Sequence, residues 1–166
     1  MKRLIGVSLF GLGCILVLLV MTTQTTAENP KFEIVSGFMT NTDMLLMGDF
    51  WFDGAGNLHR RGWQFEFVME SSDPRLDGAV VIDELNGNWI AAKLMDGEMW
   101  GKIWITQTDG SRWEGSWTGR VIGGNQQARG VLKGVSGSIM GKKFKIILEQ
   151  IPGSSPSVFD WTGEIH

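Results

Sequence analysis

The residues Trp63-Gln64-Phe65-Glu66-Phe67-Val68-Met69-Glu70 set a large apolar side chain at every second position. Successive side chains on a strand point to opposite faces. This spacing therefore predicts a strand with its rings and Met69 on one face and Gln64, Glu66, Val68 and Glu70 on the other. Arg112-Trp113-Glu114-Gly115-Ser116-Trp117-Thr118-Gly119-Arg120 repeats the pattern with a ring or a glycine against a polar residue. Glycine weakens a strand interior, and it stands where a barrel turns a corner or two backbones approach closely. No useful length of the chain carries a helical period.

The same reading predicts strands over 32–39, 44–53, 63–70, 79–84, 89–95, 98–106, 112–122, 128–135, 138–149 and 158–165. Between them Asp53 to Asn57 reads as a turn, Ser71 to Gly78 as a loop and Ile151 to Ser157 as a Pro/Gly/Ser loop. Asn86-Gly87, Asp96-Gly97 and Asp109-Gly110 read as hairpin turns, Asn-Gly being the strongest short-range hairpin signal. Short strands joined by short turns predict an all-β domain. Up-and-down connectivity closes readily into a single antiparallel β-barrel of about eight strands, which removes exposed sheet edges. A sandwich shares much of this pattern and stays open as the alternative.

Residues 1–27 read as a secretory signal peptide, and residues 28–166 as the barrel domain. Met1-Lys2-Arg3 is basic, Leu4 to Met21 is uncharged, and Thr25-Thr26-Ala27 offers small residues for cleavage after Ala27. The uncharged run, about 18 residues, exceeds the roughly 7–15 of an ordinary signal core and approaches a minimal membrane span. An uncleaved anchor through residues 4–21 is therefore the alternative, and membrane contact is expected only there. In both cases the domain is exported, to the periplasm or beyond. Cys14 has Gly11 three places before it and apolar sequence after it, which argues against lipidation. The domain itself has no cysteine, so it carries neither a disulfide nor a thiol nucleophile.

Residues 28–166 keep all 18 acidic groups but lose Lys2 and Arg3 from the 15 basic ones, leaving a formal charge of −5. Without a clustered basic surface nucleic acid is not an expected partner. No Gly-x-Ser-x-Gly elbow is present, and His59 and His166, the two histidines, read as a solvated turn and a terminus. Asp53, Ala55 and Asn57 echo a calcium loop, yet alanine holds a ligand position and Gln64 stands where a glutamate belongs. We name no catalytic residue, and expect no metal and no cofactor.

Two groups remain as candidate binding residues. Glu66 and Glu70 would form a charged, low-dielectric site if their face lines a barrel lumen, and an ordinary solvated lattice if it faces water. Trp100 and Trp104 share a face with Lys102, opposite Met99, Ile103 and Ile105. Rings about 13 Å apart along a strand would suit stacking on a glycan or planar ligand, or would simply cover the barrel. Trp113 and Trp117 read as structural rings folded over Gly115 and Gly119.

Gly130-Val131-Leu132-Lys133-Gly134-Val135-Ser136-Gly137 resembles the Gly-x-Phe/Leu-x-Gly-x-x-Gly signature of the allene oxide cyclase and dirigent-like β-barrel superfamily. Ser72 to Gly78 resembles a Ser-Asp-Pro-Arg-x-x-Gly loop of exported bacterial proteins. The first resemblance implies a barrel around an apolar lumen and reaches no residue known to do chemistry. The leading functional expectation is non-catalytic binding of a small apolar or aromatic ligand. A cyclase- or isomerase-like lumenal enzyme using Glu66 or Glu70, and a cell-envelope glycan- or protein-interaction module using the Trp100/Trp104 face, are the alternatives.

Overall fold

The computed structural model describes residues 32–90 and 96–166. The proposed signal segment lies outside these residues, as does the chain joining the fourth and fifth strands. The strands are β1 (Glu33–Leu46), β2 (Asp49–Phe52), β3 (Leu58–Ser71), β4 (Val80–Ile90), β5 (Asp96–Thr106), β6 (Arg112–Ile122), β7 (Asn125–Ser136), β8 (Lys143–Gln150) and β9 (Val158–Ile165), with one 3-10 turn at Gly137–Ile139. Every pairing is antiparallel. The order β1-β9-β8-β7-β6-β5-β4-β3 closes on itself through β1 and β3, giving an eight-stranded barrel, and β2 continues past β1 along β3 as one extra strand.

The alternation over Trp63 to Met69 points as its spacing predicts: Trp63, Phe67 and Met69 are buried, and Glu70 is exposed. Several local expectations need correction. The strand expected over 138–149 begins only at Lys143, after the 3-10 turn, and the break expected after Met39 falls instead after Leu46. Asn86-Gly87 is no hairpin turn, because β4 runs straight through it. Gly87 is required there by packing, since a Cβ would lie 2.1 Å from the Trp89 ring that folds back over it. Gly97 is likewise inside β5, pressed against the Asn88 carbonyl of β4. The segment Leu58 to Arg61 is strand, not turn: β3 starts at Leu58 and carries a bulge between Arg60 and Trp63, where Gly62 takes φ +67°. That extra residue reverses the side on which Arg60 and Arg61 fall.

Among the described residues, one end of the barrel is filled. Met69, Val81, Ile105, Trp113, Leu132, Ile139, Phe144, Ile146 and Trp161 are almost wholly buried there. Phe144 packs between two indoles, 5.4 Å from Trp113 and 6.2 Å edge-on from Trp161, centroid to centroid. The Ser71 to Gly78 loop closes this end. The Asp73 carboxylate accepts from the backbone and guanidinium N–H groups of Arg75, and Leu76 N–H returns to Asp73 O at 2.9 Å. Leu76 is thereby pushed into the core at 0% exposure, a burial that contributes roughly 2 kcal/mol. At the other end no such plug is seen among the described residues.

Candidate functional site

Inward-facing residues of β1 and β3–β9 enclose a cavity of about 450 Å³ in the unplugged half of the barrel. Its wall is largely apolar: Met39, Phe65, Phe67, Leu85, Trp89, Met99, Ile103, Val121, Leu148 and Phe159. Against it stand a few polar groups, Asn41, Arg60, Asp83, Gln126 and Ser157. A concave, mostly apolar space with few convergent polar groups is the usual build of a small-molecule site. Among the described residues, nothing covers the end of the cavity that carries Gly124 and Ser157. Near this end β1 runs on past its pairing with β9 and β2 follows it along β3, and Leu45, Leu46, Met47, Phe50 and Phe52 remain about half exposed or more.

Asp83 faces the lumen between Val81 and Leu85 on β4. Its carboxylate accepts from Trp117 Nε1. The contact depends on a glycine of the intervening strand. Gly101 on β5 is the register partner of both Leu85 and Trp117, and a Cβ there would stand 1.6 Å from Glu84 O and 2.8 Å from Trp117 Nε1. The Trp117 indole thus lies across bare backbone of β5 to reach β4, a cross-strand contact instead of the same-strand cover expected from Gly115 and Gly119. Asp83 retains some accessible surface, but that surface faces the lumen while protein encloses the rest. Burial pushes its carboxyl up to about 7, against the pull of the Trp117 N–H, and the neighbouring Glu84 charge adds to the rise.

Arg60 lies nearer the mouth. Its guanidinium carbon sits 4.1 Å from the Trp63 ring centroid and 5.5 Å from that of Trp89. Desolvation lowers its pKa from the ordinary guanidinium value, without taking away its charge. The Arg60 Nε is buried and has no hydrogen-bond partner among the described residues.

The residues singled out in the sequence stand elsewhere. Glu66 and Glu70 are on the outer wall, where Glu66 accepts from Thr42 Oγ1 at 3.0 Å. Trp100, Lys102 and Trp104 share the outer face of β5, and the Arg61 guanidinium lies 4.9 Å from the Trp100 ring. Both rings are half-buried, with Lys102 exposed between them, and Trp100 borders a shallow depression with Thr118, Arg129 and Ile147. His59 belongs to β3 and is no turn residue: its Nδ1 meets Asn88 Oδ1 at 2.8 Å, and its ring stacks on Trp51. Asp53 uses its carboxylate to hold the β2–β3 hairpin, accepting from Asn57 and Ala55. The Asn57 side chain and backbone, with help from His59 and Ala55, keep that carboxyl at about 2.

Asp83 and Arg60, the two lumenal charges, were both missed from the sequence. Asp83 had a usable signal: Val81, Leu85 and Trp89 share its parity, which marks an inward face with a carboxyl in it. Arg60 had none, because parity counted back from Trp63 points the wrong neighbour inward unless the bulge is known. Comparison of the chain with protein-family models, with curated proteins and with solved structures finds no match.

Proposed function

We propose that this chain is a binding barrel that takes one small apolar or aromatic ligand into its lumen. The observation that carries the reading is the lumenal cavity: among the described residues, one end is plugged by Leu76 and the Trp113–Phe144–Trp161 stack, while toward the other lies about 450 Å³ of mostly apolar space. Closed barrels of this strand number are either filled by side chains or hold a small ligand. The exposed apolar side chains at the end of β1 and on β2 would offer a lipophilic molecule a surface on which to approach the mouth. The likeness to the allene oxide cyclase and dirigent-like barrels, and the export implied by residues 1–27, belong to the same proposal.

Native mass spectrometry on the protein isolated from its own cells tests it, with intrinsic tryptophan emission recorded alongside. A bound small molecule is expected, and its removal should shift the emission, since Trp89 and Trp117 line the cavity. Ala128→Trp fills the lumen from β7 and should abolish uptake with the fold retained. A bare mass, together with apolar-probe binding that Ala128→Trp leaves unchanged, refutes the proposal.

One observation favours a second reading, lumenal acid–base catalysis. Asp83 is a desolvated carboxyl titrating at about 7, the range in which a side chain can both give and take a proton. In that case Asp83→Asn retains ligand binding and loses turnover.

A further inference from the structure

We infer that the ligand of this lumen is an acidic amphiphile whose anionic group is held by Arg60 at the mouth while its apolar body fills the cavity. The inference rests on the binding reading above and deepens it. Arg60 is a lumenal cation without a counter-charge: it forms no ion pair and donates no side-chain hydrogen bond among the described residues. Trp63 and Trp89 attract it through their faces, but a ring face accepts only part of what a guanidinium donates. A partly desolvated charge with an orphaned Nε is unfavourable until an acceptor arrives, and a planar fork matches an oxyanion best.

Asp83 does not supply that acceptor. Arg60 is in register with Gly87, four residues from Asp83 along β4, which is about 13 Å of strand. Asp83 is engaged by Trp117. The two polar sites therefore stand at different depths, with Leu85, Trp89, Met99 and Val121 supplying apolar wall in the same half of the lumen. The arrangement separates an anion site near solvent from a lipophilic body deeper in.

The test uses two fluorescent probes with one aromatic skeleton, anionic 1-anilinonaphthalene-8-sulfonate and neutral N-phenyl-1-naphthylamine, titrated into the full chain. The sulfonate is expected to bind at least tenfold more tightly. Arg60→Met should remove that preference and change the neutral probe's affinity by less than about twofold, while Arg60→Lys should keep part of it. Ala128→Trp should block both probes, which separates lumenal binding from adsorption on the exposed edge of β1 and β2. Circular dichroism confirms the fold of each variant; if Arg60→Met does not fold, a salt-sensitive preference reduced in Arg60→Lys serves in its place. Equal affinities in the wild type, or equal losses in Arg60→Met, overturn the anion site while leaving the cavity reading intact. Binding of neither probe overturns the cavity reading, and this inference with it.

Discussion

Replacing Asp83 with asparagine removes the carboxyl from the lumen wall while preserving its shape and an oxygen to accept from Trp117 Nε1. The native carboxyl is raised from 3.8 to about 7. Between those two values the folded protein holds a proton that the unfolded chain has released. Stability therefore falls as pH rises through this window, and the contribution of Asp83 is level below and above it. At about 1.4 kcal/mol per unit the full loss is about 4 kcal/mol. That is a ceiling, because water entering the lumen solvates the ionised form. Asparagine never ionises, so the variant should match the wild type to within ~1 kcal/mol at pH 4 and exceed it at pH 8 by up to that ceiling. Urea unfolding followed by tryptophan emission, repeated from pH 4 to 8, reads the difference. Other carboxylates titrate in both proteins and cancel in the subtraction. Parallel pH curves, or a variant less stable throughout, would refute the claim that Asp83 is desolvated in the fold.

Gly101→Ala should cost roughly 1–3 kcal/mol by forcing β5 away from the Glu84 carbonyl; the same unfolding assay checks it, with Trp117 emission shifting as its contact to Asp83 is disturbed. Leu76→Ala should cost about 3 kcal/mol, because it empties the plug of the closed end. An unchanged midpoint in denaturant would mean that the Ser71 to Gly78 loop does not seal the barrel.

Much of the architecture was readable from local spacing. The period of two over Trp63 to Met69, Met99 to Ile105 and Trp113 to Val121 sorts the residues of β3, β5 and β6 onto the two faces that the structure has, while spacing alone left open which face of β3 and β5 lines the lumen. The short connections implied an up-and-down meander, and its closure through β1 and β3 is what the structure has. Turn chemistry was less secure. Asn86-Gly87 has the composition of a hairpin turn, yet its glycine serves the Trp89 ring, and composition alone does not distinguish a glycine needed for bending from one needed for room.

What the sequence determined by itself is the pleat: which residues alternate, hence an all-β domain with two-faced strands and a core of aliphatic and aromatic side chains. Tertiary structure decided the site. Trp117 reaches Asp83 across Gly101 only because β4, β5 and β6 are neighbours in one register. Arg60 enters the lumen only because the Gly62 bulge inverts parity ahead of Trp63. One end of the barrel is closed because the Ser71 to Gly78 loop folds over it and buries Leu76. Alternation is a property of each strand's own backbone and can be read along the chain. Register, bulges and closure are set by pairing between residues far apart in sequence, and they determine which alternating face encloses space and which polar groups are caught inside it.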